Sequence, residues 1–78
     1  MRSTTTEDLV LDLCREVLHN PEATLDHRFT DIGGTSLMAS QLLTRIQERT
    51  GVRVQAAALL RAPDLRALAQ LVTDARSG

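Results

Sequence analysis

The sequence predicts an all-α fold, a small four-helix bundle with a short third helix and a long loop between helices one and two. Three observations predict it. Apolar residues recur at helical spacing in three separate stretches, the one extended-looking stretch, at Val52 and Val54, reads as a link between helices, and Asn20-Pro21, Gly33-Gly34, Gly51 and Pro63 punctuate the chain. Seventy-eight residues leave room for one domain, read here as 1–78 with its core over about 5–75. A core so small accommodates no large internal active site.

The first helix is expected from near Thr4, where Thr4 and Glu7 have capping-box spacing and Glu7-Asp8 suit the positive helix end. Leu9, Val10, Leu13, Cys14, Val17 and Leu18 form one broad apolar stripe. Asn20-Pro21 is the expected stop, because the residue before proline is pushed out of the α region. Met1–Thr5 and Arg76–Gly78 read as short tails. The connection from Pro21 to Gly34 is long for so small a domain. Leu25, Phe29 and Ile32 are spaced to drop into the core as pegs, and Gly33-Gly34 offers two residues free to take positive φ.

A second helix is predicted from Thr35 or Ser36 to Thr50, with Gly51 as its left-handed stop. At 100° per residue from Ser36, residues Met38, Ala39, Leu42, Leu43 and Ile46 fill an arc from about 200° to 340°. Leu37 falls outside it, among Ser40, Gln41, Thr44, Arg45 and Glu48, where an apolar side chain needs a reason. Val52 and Val54 suggest an extended link with one side buried, and Gln55–Leu60 suffices for a short third helix. Asp64 is placed to cap a last helix with Leu65, Leu68, Ala69 and Val72 on its core side.

Composition excludes several functions. Nine arginines, no lysine and ten acids give a net charge of −1, which argues against a nucleic-acid partner, and Phe29 alone makes no stacking platform. The helix from Ser36 to Thr50 has the shape of a recognition helix but only Arg45 and Arg49 against Glu48. One cysteine forms no intrachain disulfide, and His19 and His27 lack metal-ligand spacing around them. No apolar run spans a bilayer and no signal-peptide core follows Met1, so no membrane partner and a cytoplasmic address are expected. Nothing points to an oligomer, and a monomer is expected. Cys14 sits in an apolar stripe, where a thiol usually serves as a small hydrophobe. His27 is expected to face solvent, and His19 lies near a helix C-terminus, where a cation is favoured.

The chemistry gathers at Asp31-Ile32-Gly33-Gly34-Thr35-Ser36-Leu37. A bare, bendable turn leads into a helix whose first turn carries the Ser36 hydroxyl, in a field where an anion is comfortable. The bland alternative is a helix start with Thr35 or Ser36 as its cap. A nucleophile elbow fails because Met38 stands where the second glycine belongs, and a P-loop fails for want of lysine.

The run from Phe29 through Gly33-Gly34-Thr35-Ser36-Leu37 to Ala39 resembles the attachment motif of thiolation domains, the peptidyl carrier proteins of nonribosomal peptide synthetases. The resemblance extends from about Leu9 to Val72, taking in Gly51-Val52-Arg53-Val54 and Ala62–Ala69. It implies a carrier without catalytic activity of its own. Gly33, Gly34 and Thr35 would form the attachment loop, and Ser36 would accept 4′-phosphopantetheine from coenzyme A through a phosphopantetheinyl transferase. The arm's thiol would carry aminoacyl, peptidyl or acyl groups as thioesters between adenylation-type loading enzymes and condensation or other acyl-transferring enzymes. Leu37 would anchor those partners, with Met38, Gln41, Arg45 and Leu60 extending the surface. Core packing is as good an account of Met38, and a solvated face the better one for Arg45. The residue before the serine is often His or Asp in this family, and here it is Thr35. A polyketide-type acyl carrier and an unmodified helical docking module are the alternatives.

Overall fold

The computed structural model describes residues 5–77. They form α1 (Thr6–Leu18), a four-residue 3-10 turn (Phe29–Ile32), α2 (Ser36–Thr50), α3 (Ala56–Arg61) and α4 (Leu65–Ser77), with no strand among them. Helix α1 packs on both α2 and α4, α2 packs on α3, and α3 touches the 3-10 turn.

The core follows the helical stripes. Val10, Leu13, Cys14 and Val17 come from α1, Ala39, Leu42 and Ile46 from α2, and Leu59 from α3. Leu65, Leu68, Ala69 and Val72 come from α4, with Val52 from the extended link. Leu9 and Leu18 of the expected α1 stripe, and Met38 and Leu43 of the α2 arc, are only partly covered at its margin. Among the described residues no polar or charged side chain is buried, so area removed from water supplies the stability.

The helix ends differ from expectation in physical detail. Thr4 lies outside the described residues, and Thr5 does the capping, its Oγ1 accepting the Asp8 N–H at 3.1 Å. The expected tail Arg76–Gly78 begins later than Arg76, which belongs to α4 and donates from its guanidinium to the Thr6 hydroxyl at 3.1 Å; Met1–Thr4 and Gly78 lie outside the described residues. Helix α1 stops at Leu18, before the proline acts, because His19 turns left-handed (φ 52°, ψ 41°) and the Asn20 N–H reaches back to the Arg15 carbonyl at 3.0 Å. At α4 the expected cap holds, with Asp64 Oδ1 accepting the Ala67 N–H at 2.8 Å.

The long connection is tied down along its length. Phe29 is buried, Leu25 and Ile32 pack beside it, and Ala23 is fully covered. Arg15 Nε holds the Ala23 carbonyl at 3.0 Å. The first two amides of α4, on Leu65 and Arg66, donate to the carbonyls of His27 and Leu25 at 2.9 and 3.0 Å, so the loop satisfies donors that a helix start leaves open. Arg66 and Asp26 add an exposed ion pair at 2.6 Å. His27, expected to face solvent, is half-buried, its Nδ1 accepting the Thr24 N–H at 3.0 Å.

The two glycines do different jobs. Gly33 leaves the 3-10 turn at φ 95°, in the left-handed region. Gly34 has no positive φ; it is a glycine because a Cβ there would collide with the Phe29 ring and the Phe29 carbonyl. The Gly34 N–H donates to that carbonyl at 3.0 Å and closes the turn. Gly34→Ala should therefore lower the unfolding free energy by about 1–3 kcal/mol, the usual cost of overpacking, as read from the urea midpoint. A midpoint equal to wild type would show that Phe29 can move aside.

Candidate functional site

Thr35 decides what Ser36 is free to do. Thr35 is extended (φ −117°, ψ 174°), its Oγ1 accepts the Met38 N–H at 3.2 Å and its carbonyl accepts the Ala39 N–H at 2.8 Å. With the cap supplied by Thr35, Ser36 becomes the first helical residue. Its side chain is exposed, and its hydroxyl has no partner among the described residues.

The surroundings favour negative charge. The amides of Ser36 and Leu37 have no acceptor among the described residues, and the first turn of α2 carries no acid. Both amides lie at the positive end of a 15-residue helix. Gly33 is exposed beside them with open space where a Cβ would stand. A bare glycine beside the hydroxyl gives clearance to a visiting enzyme. Only Gly33 fits that reading, since Gly34 is half-buried and answers to Phe29 from inside.

Leu37 is 65 % exposed, on the outer face of α2 as its angle required. Gln41 and Arg45 follow it one and two turns on, both exposed. Arg45 is held by the Glu16 carboxylate of α1 at 3.3 Å rather than by Glu48 of its own helix. Met38 and Leu60 are half-buried and pack against the core, so the structure puts Ser36, Leu37, Gln41 and Arg45 on one outward face of α2 and turns these two toward the core.

Two surface features carry no signal in the sequence. Ser40, Gln41, Thr44 and Arg45 line an open trough of about 390 Å³ that begins one turn beyond Ser36. Leu71 is 41 % exposed and lines an apolar groove with Val52, Val54 and Ala75 at the other end of the bundle. Helical angles place residues on faces, but they do not show how neighbouring side chains leave room between them.

The chain's one thiol is inert, as its place in the apolar stripe implied. Cys14 is fully covered in the core, and burial pushes its thiol up to about 12, which leaves almost no thiolate at neutral pH. Among the described residues no group of three metal-binding side chains gathers, and no helix is long and apolar enough to cross a membrane.

A family model described as a phosphopantetheine attachment site matches residues 8–72. The chain is 45 % identical over 64 residues to a dimodular nonribosomal peptide synthase of Bacillus subtilis (strain 168), covering 82 % of this chain and 3 % of that one. It is 32 % identical over 73 residues to surfactin synthase subunit 1 of the same organism, covering 94 % of this chain and 2 % of that one. A linear gramicidin synthase of Brevibacillus parabrevis is 31 % identical over 64 residues, 82 % of this chain and 1 % of that one. The chain thus spans at most 3 % of the length of these curated relatives. In the solved structure of the phosphopantetheine transferase Sfp in complex with coenzyme A and a peptidyl carrier protein, one chain superimposes with a TM-score of 0.85, covering 94 % of this chain and 95 % of that chain at 23 % identity. That last likeness shows the all-helical fold.

Exposure at Leu37 has an energetic consequence. Leu37→Ala should change the unfolding free energy by no more than about 0.5 kcal/mol. Leu42→Ala, five residues on but fully buried, should cost about 2–5 kcal/mol. Equal losses in urea melts would place Leu37 in the core after all.

Proposed function

The chain belongs to the phosphopantetheine attachment-site family, and on that premise we propose that it is a carrier whose Ser36 hydroxyl takes 4′-phosphopantetheine from coenzyme A. One observation carries the assignment to Ser36. Its hydroxyl is exposed and unpartnered at the first position of α2, while the neighbouring Thr35 hydroxyl is occupied in capping.

In the transfer, Ser36 Oγ attacks the phosphorus of coenzyme A that bears the pantetheine. The new P–O bond forms as the pyrophosphate link breaks, adenosine 3′,5′-bisphosphate leaves, and the serine proton passes to a base of the transferase. No oxidant or reductant is needed. The chain contributes an accessible nucleophile on a stiff turn, two open amides beside the phosphate and no carboxylate in the first turn of α2. Gly33, Gly34 and Thr35 form the attachment loop, holding Ser36 in register with the helix dipole.

Once attached, the arm supplies a thiol able to hold aminoacyl, peptidyl or other acyl groups as thioesters. The chain itself is read as non-catalytic, a single carrier domain over 1–78 acting as a monomer in the cytoplasm. Its likeness to segments of peptide synthases supports an assembly line as the setting, with adenylation-type loading enzymes and condensation or other acyl-transferring enzymes as partners. Leu37 is the anchor of that partner surface, flanked by Gln41 and Arg45, with Met38 and Leu60 at its edge.

Incubation with coenzyme A and a broad-specificity phosphopantetheinyl transferase, followed by intact mass measurement, tests the reading. Wild type should gain one phosphopantetheinyl group and Ser36→Ala none; a folded but unmodified wild type would leave an unmodified docking module as the better account. Leu37→Ala should keep the helical circular dichroism yet slow the transferase reaction by about tenfold or more, the usual cost of truncating an interface anchor. An unchanged rate would remove Leu37 from the transferase contact.

A further inference from the structure

We propose that the apolar groove between the extended link, α3 and α4 takes an extended peptide of a partner protein, one with an acidic residue between two apolar ones. The site is separate from the Ser36 face and does not depend on the carrier reading.

The link has the makings of a strand edge. From Gly51 to Gln55 it belongs to no helix, and its side chains alternate as in a strand, with Val52 buried, Arg53 exposed and Val54 half-buried. Its main chain is left open. The N–H groups and carbonyls of Arg53 and Val54 have no hydrogen-bond partner among the described residues. In an extended strand the N–H and carbonyl of one residue point to the same side, so Arg53 can exchange both bonds with a single residue of an added strand. Extended peptides bind by adding to an edge of this kind.

Register then dictates the chemistry of the guest. A residue paired with Arg53 sets its side chain on the Arg53 face, and its two neighbours point the other way, with Val52 and Val54. Those neighbours meet a groove of about 210 Å³ lined by Val52, Val54, Ala58, Leu71 and Ala75. Leu71 is 41 % exposed there, an apolar side chain left without cover. Arg53 is the only charged residue of the lining and has no ion-pair partner among the described residues. Asp74, next to Ala75 on α4, is taken by the Gln70 carboxamide at 2.8 Å. A carboxylate opposite Arg53, flanked by two aliphatic side chains, therefore complements what the surface leaves open.

A second copy of this chain fits less well. Pairing two links edge to edge brings Arg53 against Arg53, and like charges across a strand pair repel. The position suits a holding contact instead. The link leaves α2 at its C-terminal end, about 20 Å along the axis from Ser36 at 1.5 Å rise per residue. A partner held there keeps the domain nearby while the start of α2 stays uncovered.

Titration of the ¹⁵N-labelled chain with a capped seven-residue peptide of alternating leucine and glutamate tests the site. Saturable amide shifts are expected at Arg53, Val54, Leu71 and Ala75, with Ser36 and Leu37 unmoved. Lysine in place of glutamate removes the charge pair, and N-methylation of every glutamate removes the main-chain donor. Each change should weaken binding about tenfold or more. Leu71→Ser should weaken it as much while keeping the wild-type circular dichroism, and Arg53→Glu should reverse the order of the glutamate and lysine peptides. No saturable shift, equal binding of either altered peptide, or shifts centred on the start of α2 overturns the site. Shifts at Arg53 and Leu71 that grow with the concentration of the chain alone give the groove to a second copy and overturn the peptide assignment. The carrier reading stands or falls separately, on the mass gained at Ser36.

Discussion

The contact between the Phe29 ring and the bare Cα of Gly34 fixes everything that follows it in the chain. Phe29 reaches the core only if residue 34 has no side chain, and the N–H of that same residue donates to the Phe29 carbonyl. The turn closes over its own aromatic peg. Gly33 then bends the chain through φ 95°, Thr35 comes out extended, and α2 has one place to begin. A slack turn would let the helix start fray, and the first residue would have no fixed direction. The aromatic that makes no stacking platform on the surface is used inside, as a stop.

From that start, α2 serves two solvents with two faces. Ala39, Leu42 and Ile46 point into the bundle, while Ser36, Leu37, Gln41 and Arg45 point out. The core is therefore complete without any residue of the outward face. Function can change on one side while stability is kept by the other. The loop before α2 follows the same economy. Its carbonyls at Leu25 and His27 satisfy the start of α4, so the segment that delivers Phe29 also closes the far helix.

Much of this was legible in the sequence. Helical spacing placed the buried positions of α1, α2 and α4, and it marked Leu37 as exposed, which it is. The Gly51 stop and the Asp64 cap were legible because left-handed residues and capping carboxylates leave local signatures. Other features were not. The 3-10 turn at Phe29–Ile32 is too short to show a period. Thr5 and Thr4 are chemically equivalent caps, so only the position of the packed stripe chooses between them. His19 as the left-handed stop of α1 could not be foreseen, because a histidine there carries a steric cost that glycine avoids and the packed loop beyond must hold it. At the site, the setting of Ser36 was legible through a resemblance, but the reason for Gly34 lies in a through-space contact. The ion pair between Arg45 and Glu16 joins residues 29 apart, and no local pattern reports it.

What the turn achieves is to leave one hydroxyl, that of Ser36, free at the head of α2 while its neighbours are engaged or set back along the helix. Peptide fragmentation of the loaded chain tests this most directly, by locating the added group on a single side chain. The whole of it should lie on Ser36, with none on Thr35 or Ser40. Any substantial fraction on either neighbour would contradict the account, because the turn would then not be what selects the serine.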